Sequence, residues 1–486
     1  MSIARQAAHG VAWNMLLGVS TRVLTLVGQL ALAWFMAPEA YGTVMAASLV
    51  VLTASAFTSF SFGQYLIAKR ASPEVAAQAA AIHVGLGLVA AVVVYSLRGL
   101  IGDLLDIPAM GQYVLGYAVA NLIIDRVRYV PERLIMRELR FRALATINGI
   151  GEIAYIAAAL ITARAWGAYA IMFGALVRSF ITSALFLYAA PRAEWVVRVR
   201  LRAADIRDLL TYGLPIMVAI VTDNATRKWD NLIVSKLFGP GVMGGYNYAY
   251  NLAETPITSV AEHIGEVLMP SFSRMEAGDR ERAAVRAAAL MGLIVSPLGV
   301  GLGAVAHTVG AAFFNKQWGP MIAPMLMILS VMTVFRPMPW SAIAYVQAVQ
   351  RTRIVMWSSF LRAIVVLSLV AVFGYFGDAN WACIGAGIGY SVHSVLTIIA
   401  AGRATDLPVG PYLLGVGRSL LPCIPMFFAV IGLQQILTAT GIPIIVSLAA
   451  QILAGAVVYI ASAFVLVRPS VDQLLRLGRD AIRRRR

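Results

Sequence analysis

Charge is scarce in this chain: Asp, Glu, Lys and Arg make up 13% of its 486 residues. Soluble domains carry about 25%, so a surface of this size cannot be clothed for water. Cysteine is scarcer still. Cys383 and Cys423 both lie in apolar runs, which excludes a disulfide-stapled secreted fold and implies no thiolate metal site. No H-E-x-x-H occurs; Glu262, His263 and Glu266 come nearest, at one helix end, with no third ligand type and no open position apparent. No G-x-x-x-x-G-K loop is present to cradle a nucleotide, so no cofactor is expected.

What the chain has in plenty is apolar residue, at 60%. Transmembrane helices need roughly 20 mostly apolar residues. Division at charged and Pro/Gly-rich breaks gives fourteen such segments: 11–36, 41–68, 79–98, 110–130, 143–163, 167–190, 209–235, 242–271, 286–312, 320–349, 354–376, 381–401, 418–438 and 442–467. The first is too long for a signal h-region and lacks an A-x-A site followed by a soluble mature chain, so it is expected to stay as a span. An all-α, multi-pass membrane protein is the expected class.

Loop charge sets the orientation. On one face the loops and termini carry 29 basic residues, including a fourth loop with Arg126, Arg128, Arg133, Arg137, Arg140 and Arg142. The other face has 4: Arg98, Arg164, Lys236 and Lys316. Both termini are therefore expected to be cytoplasmic. The net charge of +16 sits in short juxtamembrane loops and a tail, which fits contact with anionic lipid head groups and not nucleic acid. The tail, with Leu474, Leu475, Leu477 and Ile482 among arginines, reads as a surface-lying amphipathic segment. The outward loops (38–40, 166, 240–241, 316–319, 377–380) are too short for a catalytic domain. That argues against a membrane glycosyltransferase or polymerase, and for a transporter or channel over an enzyme.

An internal repeat is readable. Gly10-Val-Ala-Trp13 opens the first span and Met36-Ala-Pro38-Glu-Ala-Tyr41-Gly42 closes it. Gly213-Leu-Pro215 and Phe238-Gly-Pro240-Gly-Val-Met-Gly-Gly245-Tyr246 do the same for the seventh. Two six-helix lobes, 1–190 and 209–401, are expected in parallel orientation, joined by a basic linker at 191–208. Two further helices at 402–467 and a basic tail at 468–486 follow. Parallel repeats are a transporter feature.

Six basic side chains fall at membrane depth: Arg22, Arg178, Arg227, Lys228, Arg336 and Arg362. Each costs roughly 2.5–3.5 kcal/mol at a helix centre, so they should face water, counter-ions or anionic cargo. The acidic set is Asp125, Glu152, Asp223, Asp230 and Glu254, with Glu262 and Glu266 nearer the helix end. Asp223, Arg227 and Asp230 stand at i, i+4 and i+7 and should share a face. Lys228 points away, toward neutral Asn224 and Asn231, and is expected to lack a partner. Cations in a wet cavity suit a phosphate or pyrophosphate, with Asp223, Asp230 and Glu254 as candidate ion-coupling groups. Trp229, Tyr246 and Tyr250 are candidate sugar contacts, although interfacial aromatic belts explain them equally well.

The segment Pro131-Glu-Arg-Leu-Ile-Met-Arg137-Glu-Leu-Arg140-Phe-Arg142 resembles the stretch after span four in polysaccharide exporters of the colanic-acid and O-antigen flippase type. Val267-Leu-Met-Pro270-Ser-Phe-Ser273-Arg274 and the turn Asn315-Lys-Gln-Trp318 are similar to family counterparts in the same order. This resemblance, to the multidrug/oligosaccharidyl-lipid/polysaccharide exporter superfamily, implies a fourteen-helix V-shaped fold in a bacterial inner membrane. It further implies flipping of an undecaprenyl-pyrophosphate-linked oligosaccharide from the cytoplasmic to the periplasmic leaflet, with Arg22 matching a cavity arginine of the first span. A polysaccharide polymerase and other envelope-assembly proteins are the implied partners. The alternatives are an ion-coupled drug/cation antiporter of the same superfamily, which would prefer an acidic cavity, and a non-transporting component of an envelope-synthesis complex.

Overall fold

The computed structural model describes residues 24–69, 72–199, 202–351 and 353–483, and among them every regular element is helical. The chain divides into two compact units, one running to Gly244 and one beginning at Gly245. In the first unit lie α1 (Leu24–Ala33), α2 (Pro38–Phe57), α3 (Phe62–Lys69), α4 (Pro73–Ser96), α5 (Arg98–Leu104), α6 (Gly111–Tyr117), α7 (Asp125–Arg137), α8 (Phe141–Trp166), α9 (Tyr169–Ala189), α10 (Ala203–Asn224) and α11 (Asp230–Phe238). Next, α12 (Pro240–Phe272) leads into the second unit, which holds α13 (Asp279–Ala304), α14 (Ala306–Phe313), α15 (Gly319–Thr333), α16 (Trp340–Ala348), α17 (Arg353–Phe376), α18 (Ala379–Ala404), α19 (Val409–Leu420), α20 (Cys423–Ala439), α21 (Ile444–Leu466) and α22 (Arg468–Arg483).

Among the described residues nine helical stretches are long and apolar enough to cross a membrane: α2, α4, α8, α9, α13, α17, α18, the α19–α20 run and α21. Their outer faces are apolar too, as with Ile161 on α8, Phe376 on α17 and Leu453, Val457 and Val465 on α21, all largely exposed. Hydrocarbon, which tolerates only backbone satisfied within itself, is the solvent such faces suit. The chain is a multi-pass membrane protein.

Two long runs in the first unit carry π-helical turns. Residues 111–137 run through α6, a π segment (Ala118–Ile124) and α7 without interruption, past Pro131. Residues 203–238 run through α10, a π segment (Ala225–Trp229) and α11. The two proline–glycine motifs picked out as repeats meet within this unit. A Cβ on Gly42 would lie 1.6 Å from the Pro240 carbonyl oxygen, and one on Gly244 would lie 2.9 Å from that of Pro38. Each motif thus offers a proline carbonyl to the glycine four residues into the other, and the missing side chains let the backbones touch.

In the second unit the main core gathers Ile257, Phe272, Met291, Tyr345 and Tyr412 from α12, α13, α16 and α19. The Trp318 turn is built locally: Asn315 Oδ1 accepts the Gln317 and Trp318 amides, and the buried indole stands edge-on to Tyr248 at 5.0 Å. The amphipathic tail is α22, which packs Val471 on Leu293 and Ala463 while Arg476 and Arg479 are exposed.

Candidate functional site

Arg22 lies outside the described residues, as do the side chains of His263 and Glu266. Most of the other intramembrane charges fall into three groups of differing exposure.

One is sealed, in the second unit. Arg336 follows α15, and Nη1 stands 2.7 Å from Glu254 Oε1 on α12, with side chains 5% and 14% exposed. The same nitrogen donates to Tyr250 Oη at 3.0 Å, Tyr250 and Tyr390 share a hydrogen bond of 2.7 Å, and the guanidinium stands 5.0 Å from the Tyr390 ring centre. Arg336 is therefore a neutralised buried cation, not a cavity-facing one, and Glu254 is its counter-ion. Helix spacing hid this pair, because the partners are 82 residues apart. The sugar-contact expectation meets the same packing: Tyr246 is fully buried beside Tyr250, whose hydroxyl belongs to the network.

The second group is half open, in the first unit. On α9, Arg178 is 40% exposed and lies 3.7 Å from Glu152 on α8, which is 11% exposed. Thr25 donates to that carboxylate at 2.7 Å, and the guanidinium covers the Tyr155 ring at 5.4 Å. Gly151 makes this possible, since a Cβ there would strike Thr182 at 2.2 Å and push the two helices apart.

Arg227, in the π segment, donates from Nε to Asp223 at 2.9 Å, with the two side chains 37% and 44% exposed. Asp230 lies deeper than that pair. It is fully buried and accepts from the Asn231 backbone and side-chain amides. A π turn closes five residues back instead of four, so a spacing of 3.6 residues per turn does not hold across 225–229. Against expectation, Lys228, which is half-buried, has an interaction partner. Trp229 donates its indole N–H to Thr53 on α2 at 3.2 Å. Arg362 is half-buried on α17, one turn after Ser358, which bonds the buried His393 at 2.9 Å.

The third group was missed. Arg126, counted above as a loop cation, is 3% exposed inside the first unit. Its side chain closes the end of α2. It donates to the Ser55 carbonyl and hydroxyl at 2.9 Å, to Thr58 Oγ1 at 2.8 Å and the Thr58 carbonyl at 3.2 Å, and it contacts His83 at 3.1 Å. Cations favour the carbonyl end of a helix dipole. The doublet Ser55 and Thr58 in an apolar span was the available signal.

Fold and charges together define a helical membrane protein with, among the described residues, half-exposed Arg178–Glu152 and Arg227–Asp223 pairs in the first unit and a buried Arg336–Glu254 pair in the second. Residues 31–323, more than half the chain, match the polysaccharide biosynthesis protein family, and the chain belongs to it. It is 25% identical over 341 residues to the lipopolysaccharide biosynthesis protein WzxC of Escherichia coli (strain K12), covering 69% of this chain and 68% of that one. It is 22% identical to the succinoglycan biosynthesis transport protein ExoT of Rhizobium meliloti (strain 1021), across 98% of this chain and 96% of the other. The lipid II flippase MurJ in an inward closed conformation aligns with a TM-score of 0.75 over 94% of this chain and 99% of its own, at 14% identity. At that identity the likeness is one of fold.

Proposed function

We propose that the protein flips a lipid-linked oligosaccharide, carried on undecaprenyl pyrophosphate, from the cytoplasmic to the periplasmic leaflet of a bacterial inner membrane by alternating access. Fourteen spans with both termini cytoplasmic, and two lobes at 1–190 and 209–401, belong to this reading and rest on the loop-charge asymmetry and the repeat. The observation that carries it is the pair of half-exposed arginines, Arg178 and Arg227. Each pairs with a carboxylate yet stays part-exposed, which leaves a surface to which a pyrophosphate can be drawn. Arg22, Lys228 and Arg362 are the remaining candidates for the same cationic surface. Asp223 is the candidate coupling acid, since Asp230 is buried on Asn231 and Glu254 on Arg336. The membership of a polysaccharide biosynthesis family and the two relatives' names support the cargo class.

The test is reconstitution of the full chain in liposomes loaded with an undecaprenyl-pyrophosphate-linked oligosaccharide, scored by outer-leaflet lectin access. Protein-dependent exposure of the glycan is expected. Liposomes that expose no glycan, yet exchange an organic cation against protons, would establish the antiporter reading instead.

A further inference from the structure

One cleft in the first unit is untouched by the reading above. It has a volume of about 540 Å³ and lies where α8 begins and α9 ends, lined by Arg140, Arg142, Thr146, Ile147, Leu185 and Tyr188. Its rim is cationic. Arg140 donates from Nη1 to the Ala189 carbonyl at 3.1 Å and to Glu138 at 3.2 Å, which pins the guanidinium while its side chain stays 46% exposed. Glu138 offsets one charge; Arg142 supplies a second. The neighbouring Arg137 is engaged by Glu194 and takes no part. The floor is apolar: Ile147 and Leu185 belong to the cluster around Leu144 and Phe186. Tyr188 stands at the edge, 84% exposed.

We propose that this cleft binds an anionic phospholipid, its phosphate on Arg140 and Arg142 and its first acyl carbons on Ile147 and Leu185. Both helices are long and apolar enough to span, so their ends lie at head-group depth, where an amphipathic tyrosine is favoured. A soluble anion would use the arginines and leave the floor bare, whereas a phospholipid covers both. Phosphatidylglycerol supplies the complementary charge.

The experiment is thermal unfolding of the full chain in detergent, titrated with phosphatidylglycerol, phosphatidylcholine of the same acyl chains, or inorganic phosphate. Phosphatidylglycerol alone is expected to raise the midpoint. Arg140→Ala with Arg142→Ala should weaken its apparent affinity about tenfold or more, and Arg192→Ala with Arg198→Ala should not change it. Thr146→Trp, which fills the cleft and keeps both arginines, should abolish the phosphatidylglycerol response and so tests the site independently of whether the double variant folds. An equal response to phosphatidylcholine, the same shift from phosphate, or a wild-type response from Thr146→Trp overturns the proposal.

Discussion

Replacing Glu254 by Gln keeps the side chain's shape and removes one charge. In the folded second unit it strands Arg336, which is 5% exposed. The lost attraction can be sized from the geometry. With Nη1 and Oε1 2.7 Å apart, the charge centres are about 4 Å apart, and at an effective dielectric of about 20 that is worth about 4 kcal/mol. Breaking buried pairs one-sidedly costs about 3–5 kcal/mol, because the surviving charge has no water to return to. Arg336 has little freedom to escape, being bonded to Tyr250 and stacked on Tyr390. Glu254→Gln should therefore lower the unfolding midpoint of the purified protein by many degrees. Removing both charges, as Glu254→Leu with Arg336→Met, should recover most of the loss, since an apolar pair of similar volume has no desolvation cost to repay. Detergent thermal unfolding read by size-exclusion fluorescence suffices for all three proteins. A Glu254→Gln protein as stable as the parent, or a double variant no better than the single, would refute the view that this pair is sealed.

Other substitutions probe the first unit. Gly42→Ala sets a Cβ 1.6 Å from the Pro240 carbonyl and should cost about 3 kcal/mol or more; Gly99→Ala, with nothing within 4 Å, should change stability by about 0.5 kcal/mol at most. Unfolding midpoints of the two variants give the comparison. Arg126→Gln removes the charge that binds the Ser55 and Thr58 carbonyls and should destabilise by about 2–4 kcal/mol. Arg126→Lys should restore only part, because an ammonium lacks the fork that reaches both carbonyls; equal midpoints for Lys and Arg would contradict the capping role.

The membrane class and the nine apolar stretches found among the described residues are legible in hydropathy because the bilayer demands both length and apolarity of each helix. Pairs within one helical turn are legible too, as Asp223 with Arg227 shows. The Glu254–Arg336 and Glu152–Arg178 pairs are not, since they join different helices and nothing local marks the partner. Lys228 was expected to lack a partner and has one, and the π turn at 225–229 alters the period on which its neighbours were counted. Arg126 was misplaced because it opens a run of six arginines that reads as a basic loop, while its own side chain is buried against the end of α2. Tyr246 and Tyr250 illustrate a further limit: an aromatic near charges has the same sequence signature whether it is open to a ligand or packed in a core.

The account turns on Arg178 and Arg227 meeting a phosphate group. Half-exposed pairs of this kind contribute about 1 kcal/mol or less to stability, so Arg178→Gln with Arg227→Gln should unfold near the parent's midpoint. The decisive measurement is binding of two ligands to that variant and to the parent in nanodiscs: a polyprenyl-pyrophosphate-linked oligosaccharide, and the same glycan on a polyprenol without phosphate. The account predicts that the parent prefers the pyrophosphate ligand by about tenfold or more and that the variant loses the preference. Equal binding of both ligands by the parent, or an undiminished preference in the variant, would contradict it.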